Sequence, residues 1–393
     1  MGQHVFDNTL NHSNPCQQQW VDTDGDLQIT LSHLEKAEIL AIDTEFTRER
    51  TFLPIPALIQ ISDGNTSWLI DAIKLDLGPL ADQLIDSEQK KLFHSASQDM
   101  EIFDIITKGR PLKKVVDTQL AAQFLGINQG SIGLSNLVEQ LLGIQLEKSQ
   151  TVSDWSIRPL SDKQLQYARE DVEHLHEVWG ILESKLQEED KFEDFIEESH
   201  FQSQLKDPIE SFCEKQLKFT DSPRYKALYR KILEWRESQA LKSNIPRGWI
   251  LKEGQIRKIA SNDDPQSWLN PQILSPKQHQ RYAPIFKSLH KEFSELSSKR
   301  QSISLEERQW FDTLSGKIRS KIQSVAQKKD VPPEMICNQR TLKHKTQLMI
   351  KNRSYDPFGR WRGRWLDSSL EPMVKNFFES KNLAVDKGPI SVS

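Results

Sequence analysis

Four acidic side chains and one tyrosine, in three separate segments, are the residues of this chain best suited to chemistry. Asp43 and Glu45 follow an apolar run at i and i+2, a spacing that points both carboxylates to one face of a strand. Tyr167 and Asp171 are four residues apart, which places a phenol and a carboxylate on one stripe of a helix. Asp99 lies between these segments, and crowded carboxylates of this kind favour Mg²⁺ or Mn²⁺ between them. The pattern is typical of a site that cleaves phosphodiesters with two metal ions.

The elements that must position these residues follow from the periodicity of the apolar residues. Strands are expected around both acidic segments of the first hundred residues, and the turn at 63–65 between two of them is typical of a hairpin. Ser161 is suited to cap the helix that carries Tyr167. The predicted strands are 39–46, 57–63, 66–71, 91–95 and 114–117, and the predicted helices of this half are 131–142 and 161–186. Strands followed by helices predict a mixed α/β domain.

The second half of the chain has a helical pattern that occurs twice. Ser222 followed by Pro223 predicts the start of one long helix, and Ser304 with Glu307 forms a capping box before another. Each helix leads into a similar phrase, 244–250 and 330–336, with proline at its third position. We interpret the repeat as an internal duplication.

Length, charge and cysteine content agree with an enzyme of more than one domain. The 393 residues exceed the size that one core usually serves. The net charge of −4 conceals about −19 in residues 1–200 and about +15 in the remainder. The basic half could hold a polyanion, or the opposite charges could favour docking between domains. Three widely spaced cysteines, Cys16, Cys213 and Cys337, fit neither a disulfide framework nor a zinc cluster, so we expect a reducing cytoplasm. The longest apolar stretches are far short of a membrane span and the first residues do not resemble an export signal, so we expect no export and no membrane insertion.

The ordered set of acidic residues resembles the DEDD exonucleases of the tyrosine type, and the surrounding words are similar to those of the ribonuclease D family. The resemblance implies an α/β ribonuclease H-like 3′-5′ exonuclease domain followed by two all-α HRDC-like helical domains. The segments that carry the resemblance are 42–46 with Arg48, Arg50 and Thr51, then 58–61, 94–99, 116–118, 153–160 and 167–172. The boundaries expected from it are a flexible N-terminus 1–20, an exonuclease domain 21–205, a linker 206–220, helical domains 221–300 and 301–378, and a tail 379–393.

The resemblance also implies a role for each matching residue. Asp43, Glu45, Asp99 and Asp171 are expected to bind two divalent ions, Mg²⁺ or Mn²⁺, and Tyr167 to orient the attacking water. The implied activity is a 3′-to-5′ exoribonuclease that trims tRNA precursors and other structured RNAs and releases nucleoside 5′-monophosphates. Its expected partner is RNA with a free 3′ end, with no membrane and no obligate protein partner. Candidate substrate-binding residues are His94, Lys148, Trp155, Arg158, Trp361 and Trp365.

Several alternatives remain open from the sequence. A DNA 3′-5′ exonuclease of the same fold would share all five catalytic residues, and a catalytically silent RNA-binding scaffold is a further alternative. His94 could equally be a packed structural histidine, and the two tryptophans could belong to the core of a helical module. Gln60 alternates with apolar neighbours, so it could support the site or face solvent.

Overall fold

The computed structural model divides into two compact units. Unit 1 comprises 1–47, 56–122 and 131–203, and unit 2 comprises 48–55, 123–130 and 204–393. The residues that the structure describes are 17–128, 130–146, 153–204, 207–218, 220–262, 264, 266–270, 272–299 and 304–381. Among these residues, no helix is both long and apolar enough to cross a membrane.

A mixed sheet with helices around it forms unit 1. Its strands are β1 Gln17–Val21, β2 Ile39–Thr47, β3 Ile55–Ser62, β4 Thr66–Asp71, β5 Lys90–Phe93 and β6 Val115–Asp117. Their order in the sheet is β1-β4-β3-β2-β5-β6. The β3–β4 pair is antiparallel, whereas β5 pairs in parallel with both β2 and β6. The acidic strand β2 is therefore central, with hydrogen-bonded neighbours on both sides.

Eight helices precede residue 204 in the described part of the chain. Apolar residues of the sheet and of the first three helices make one buried cluster that includes Ile42, Ile59 and Phe103. The helices are α1 Asp24–Leu34, α2 Gly78–Asp86, α3 Ser97–Ile106, α4 Thr118–Phe124, α5 Leu134–Leu142, α6 Asp162–Glu173, α7 Leu175–Glu188 and α8 Phe192–Ser203.

The hairpin between β3 and β4 forms as predicted. One carboxylate oxygen of Asp63 accepts hydrogen bonds from the backbone N–H groups of Asn65 and Thr66. Gly64 adopts a φ of 93°, a left-handed conformation that glycine reaches without steric cost. The turn therefore has the chemistry that a tight reversal between antiparallel strands requires.

Three local predictions for this unit are wrong. Residues 17–20 were expected to be flexible, yet they belong to β1, which pairs with β4 at the edge of the sheet. The single helix expected at 161–186 is interrupted at His174, which ends α6 and precedes α7. The acidic run 187–198 has the composition of a solvated helix end and linker, yet it continues into α8, whose Ser199 hydroxyl donates to the Val115 carbonyl of the sheet.

Unit 2 is built from helices. The segment expected to be a linker, 206–220, contains α9, whose Cys213 lies in the same buried cluster as Leu228 and Trp268. That prediction is therefore wrong, because the apolar face of α9 packs into a helical core. The helices are α9 Pro208–Gln216, α10 Pro223–Ser243, α11 Arg247–Ile250, α12 Glu253–Ser261, α13 Pro276–Glu292, α14 Leu305–Lys329, α15 Pro333–Ile336, α16 Gln339–Asn352 and α17 Arg360–Glu379.

The predicted duplication has a structural counterpart at the ends of the two long helices. Asn244 after α10 and Asp330 after α14 both adopt left-handed conformations, with φ of 44° and 48°. In each case a short helix of four residues follows, α11 or α15. The boundary between two helical domains near residue 300 stays a prediction, since the described residues after 204 form one compact unit.

Candidate active site

Strand β2 and helix α6 bring three of the predicted carboxylates together. Asp43 and Glu45 lie at alternate positions of β2, so the strand pleat directs them to the same side. Asp171 comes from the last turn of α6. Each of the three offers a carboxylate oxygen, and these oxygens lie within 4.8 Å of one another. The spacing in the sequence therefore translates into one cluster of acidic groups.

Asp99 reaches the same region from the first turn of α3. Its side chain is buried, and the Thr44 hydroxyl donates to its Oδ1 atom across 2.6 Å. Thr44 lies between the two acidic residues of β2, so this bond connects the helix to the acidic strand. The charge of Asp99 is also felt at Asp43, where it raises the pKa. The fourth predicted carboxylate thus belongs to the electrostatic environment of the other three.

Tyr167 lies one helical turn before Asp171 and interacts with it directly. Its hydroxyl donates a hydrogen bond to the Asp171 carboxylate, and this bond lowers the pKa of that group. The tyrosine ring is in tilted contact with Trp155, with 6.1 Å between ring centroids. The predicted stripe of phenol and carboxylate is therefore present, and a buried aromatic ring supports it.

Burial and repulsion from neighbouring carboxylates raise the pKa of each of these four acidic residues; at Asp99 the repelling neighbour is Asp117. Burial is the largest cause for each. Repulsion from Asp171 and Asp99 adds to it at Glu45, whose pKa rises to about 9. The pKa values of Asp99 and Asp171 rise to about 7, although hydrogen bonds from Thr44 and Tyr167 oppose the shift. At neutral pH the charged forms are disfavoured unless a cation compensates them.

These residues fit a divalent metal ion by the chemistry of their donors. All four carboxylates are hard oxygen ligands of the type that Mg²⁺ and Mn²⁺ prefer. They are held close together by a strand and two helices, and the charged neighbours that shift the pKa of Asp43 and Glu45 are other carboxylates of this group. A divalent ion would relieve the repulsion that the protein itself leaves in place.

Arg158 does not have the predicted role in substrate binding. Its Nε and Nη2 atoms each donate to the buried Asp71 carboxylate at 2.8 Å. The remaining donors bind the main-chain carbonyls of Ala57, Trp155 and Ile157. All five guanidinium N–H groups are used within the protein, so none is left for a phosphate. Although burial raises the pKa of Asp71, the hydrogen bond from Arg158 keeps it below its ordinary value.

Two further substrate-binding predictions are corrected in the same unit. Trp155 is only 2% exposed and packs with Leu58 and Ala168, so its indole is part of the core beneath α6. His94 uses both ring nitrogens inside the protein, Nδ1 at 2.9 Å from the Thr118 hydroxyl and Nε2 at 2.9 Å from the Ile132 carbonyl. The structural interpretation of this histidine is therefore the one that fits.

The two predicted tryptophans of unit 2 belong to an aromatic cluster. Trp361 is fully buried and contacts Phe124 and Trp365, with ring centroids 5.0 and 4.8 Å away, so it cannot stack on a base as predicted. Trp365 is partly buried and lies beneath the Lys329 ammonium, so its contact with substrate stays a prediction. Lys148, the last candidate, lies outside the described residues.

Sequence reasoning did not identify the contact of Thr44 with Asp99, and it did not decide whether Gln60 is buried. Thr44 has a recognisable signal, a hydroxyl between two predicted ligands on a buried strand. Gln60 is fully buried in β3, which excludes the solvent-facing alternative, and neither of its amide atoms has a hydrogen-bond partner among the described residues. Unpaired buried amides are rare, so this position is energetically costly.

Comparison with known proteins agrees with this fold. Residues 18–187 match the model of a 3′-5′ exonuclease family. Ribonuclease D of Pseudomonas paraeruginosa is 38% identical over 246 residues, which cover 62% of this chain and 65% of that protein. Ribonuclease D of Gluconacetobacter diazotrophicus is 35% identical over 249 residues, which cover 61% of this chain and 62% of that protein. The chain therefore spans less than two thirds of the length of these relatives.

A solved structure extends the similarity of fold to both parts of the chain. The crystal structure of Escherichia coli RNase D, described as an exoribonuclease involved in structured RNA processing, matches with a TM-score of 0.76 and 23% identity. The match covers 93% of this chain and 99% of that one, and confirms the predicted α/β domain followed by helices. Residues 18–187 are thus similar to a 3′-5′ exonuclease domain. The predicted resemblance to ribonuclease D is confirmed as a similarity of sequence over about 60% of this chain.

Proposed function

We propose that this protein is a metal-dependent 3′-to-5′ exoribonuclease that releases nucleoside 5′-monophosphates. The observation that carries the proposal is the cluster of Asp43, Glu45 and Asp171, whose oxygens lie within 4.8 Å of one another in an exonuclease domain. Asp99 adds a fourth carboxylate, and Tyr167 adds a hydroxyl one helical turn from Asp171. The similarity to curated ribonuclease D proteins supports RNA as the substrate.

Each side chain has a defined task in this proposal. Asp43, Glu45, Asp99 and Asp171 hold two divalent ions, Mg²⁺ or Mn²⁺. The ions supply Lewis acidity that lowers the pKa of water and stabilises the leaving 3′ oxygen. Tyr167 exchanges its hydrogen bond with Asp171 for one that orients the attacking water. Thr44 keeps the Asp99 carboxylate in a fixed orientation.

The finer proposal is that the enzyme trims the 3′ ends of tRNA precursors and other structured RNAs. The Escherichia coli relative is described as acting in structured RNA processing, which supports this substrate class. Hydrolysis of a hairpin with 3′ tails of several lengths tests it. Shortening should stop near the stem, and digestion that ignores the stem would contradict it.

We place the reaction in the cytoplasm, with no membrane and no obligate protein partner.

Degradation of a 5′-labelled RNA with an unpaired 3′ tail tests the core of the proposal. We expect a ladder that shortens from the 3′ end with Mg²⁺ or Mn²⁺ and disappears with EDTA. Asp43→Asn should abolish the ladder because it removes a central ligand. Asp86→Asn, the same substitution at an exposed position of α2, should leave it unchanged.

Two outcomes would redirect the proposal. A matched DNA strand digested as fast as RNA would favour the DNA exonuclease and remove the assignment to tRNA. RNA binding without shortening in either metal would favour the silent scaffold. Activity of Asp43→Asn equal to that of the native chain would exclude the carboxylate cluster as the catalytic site.

A further inference from the structure

A cavity of about 450 Å³ opens in unit 2, and all of its described lining residues belong to that unit. Four segments contribute its wall: the end of α9 and the residues after it, the first turn of α10, the last turns of α12, and the stretch after α13.

The charged groups of this lining are mostly positive. Among the described lining residues, Lys218, Arg224, Arg257 and Lys258 contribute four cations and Asp221 one carboxylate. Glu253, beside the lining, adds a second carboxylate 3.7 Å from Arg257. Cations gathered around one concave surface raise the local concentration of anions, and arginine suits the planar geometry of phosphate oxygens. The cavity therefore has the electrostatics of an anion site.

Hydrogen bonds within unit 2 fix the wall in place. An oxygen of Asp221 accepts from the backbone N–H of Lys218, and the Ser222 hydroxyl accepts from the backbone N–H of Tyr225 at the start of α10. The Arg224 guanidinium donates to the His290 carbonyl at 3.1 Å. The carboxylate is thus engaged by the main chain, and the long side chains start from a rigid frame.

The size and composition of the cavity limit the ligand to a compact one. A concave pocket of this volume suits a single nucleotide better than an extended strand. The Tyr225 ring in the wall can pack against a planar base, while the cations bind the phosphoryl group. The two positive charges in excess of Asp221 and Glu253 also match a dianionic phosphate monoester better than a monoanionic diester.

We infer that this cavity binds a phosphate monoester of nucleotide size. The monoester is either a free nucleoside 5′-monophosphate or the 5′-phosphorylated end of a short RNA. The inference does not depend on the proposed nuclease activity, because the lining residues belong to unit 2 and binding needs no metal ion.

Isothermal titration calorimetry on the full chain in EDTA tests the inference. The probes are AMP, adenosine, inorganic phosphate and a trinucleotide with or without a 5′-phosphate. We expect AMP to bind and adenosine not to, with affinity that falls as salt increases. Lys218→Gln and Lys258→Gln should each weaken AMP binding roughly tenfold, the loss expected for a charge-assisted contact. Lys287→Gln, at an exposed position of α13, should leave it unchanged.

The outcomes distinguish a free nucleotide from an RNA end as the ligand, and they can overturn the inference. Tighter binding of the 5′-phosphorylated trinucleotide than of AMP would identify an RNA end as the ligand, and the reverse order would identify the free nucleotide. Equal AMP affinity in native protein and in a Lys218→Gln, Lys258→Gln double variant that keeps its helical circular dichroism would overturn it. Absence of binding by every phosphorylated probe would do the same. Unchanged AMP affinity in Asp43→Asn would separate this cavity from the active site.

Discussion

Asp43→Asn should stabilise the metal-free protein while it removes the response to metal ions. In the native chain the Asp43 carboxylate is surrounded by the charges of Asp99, Asp171 and Glu45, which raise its pKa in addition to the effect of burial. The amide removes one of these negative charges without changing the shape of the side chain. Less repulsion should therefore remain in the folded state.

The magnitude follows from the pKa of Glu45, which moves from 4.5 to about 9. One unit of pKa corresponds to about 1.4 kcal/mol, so the charged form is disfavoured by at most roughly 6 kcal/mol. Burial is the largest cause and remains in the variant. We therefore expect the variant to recover only about 1–2 kcal/mol from the lost repulsion.

The pH dependence has a definite sign. Because the pKa of Glu45 is raised in the folded state, the folded protein binds more protons than the unfolded chain between about pH 4.5 and 9. Stability of the native chain in EDTA should therefore fall as pH rises through this window. Asp43→Asn should fall less steeply. Saturating Mg²⁺ or Mn²⁺ should stabilise the native chain by about 3 kcal/mol at one hundred times the dissociation constant, and the variant much less.

Urea unfolding followed by circular dichroism at pH 6 and pH 8.5, with EDTA or with metal, measures all of these effects. Asp86→Asn carries the same substitution at an exposed site and controls for net charge. A variant less stable than the native chain in EDTA at pH 8.5, or equally stabilised by Mg²⁺, would refute the reasoning.

Three further substitutions, two of them with a control variant, test contacts that stabilise the two units or position the site. Arg158→Met should cost about 3–5 kcal/mol in urea unfolding at pH 7, because it leaves the Asp71 carboxylate buried without its partner; the loss should shrink as pH falls below 3.8, because the stability from the lowered pKa of Asp71 is complete above that unfolded value and disappears through the folded value. Gly126→Ala should destabilise unit 2 by about 2 kcal/mol, as its φ is 65° and an added Cβ would lie 2.6 Å from a main-chain oxygen. Gly254→Ala, where an added Cβ would have open space around it, should be neutral or about 1 kcal/mol more stable. Thermal melts measure both glycine variants. Thr44→Val should lower kcat of the proposed nuclease by tenfold or more, whereas Thr44→Ser should retain it; equal rates would contradict a positioning role.

Four of the five central residues could be predicted because local spacing determines their placement. The alternation of a strand puts Asp43 and Glu45 on one side whatever the rest of the fold is. The helical turn does the same for Tyr167 and Asp171, and the hydrogen bond between them follows. These geometric rules act over a few residues, so a single sequence contains them.

The corrected residues depend on partners that are far away in the sequence. Arg158 looked available for a phosphate because its main partner, Asp71, precedes it by 87 residues. Trp361 looked available for a base because Phe124, which covers it, lies in another segment of the chain. An arginine or a tryptophan in a basic, aromatic stretch has the same local pattern in a core and at a surface. Only tertiary packing separates the two.

The orientation of α6 combines both kinds of information. Spacing alone places Tyr167 and Asp171 on one stripe, but it does not determine how the helix is rotated about its axis. Ala168 and Val172 follow them by one residue each, and both are fully buried. Successive residues are about 100° apart around a helix. When Ala168 and Val172 are buried, Tyr167 and Asp171 therefore lie at the margin of the packed face. The acidic and phenolic groups thus stay partly accessible beside β2, which a stripe on the opposite side of the helix could not achieve.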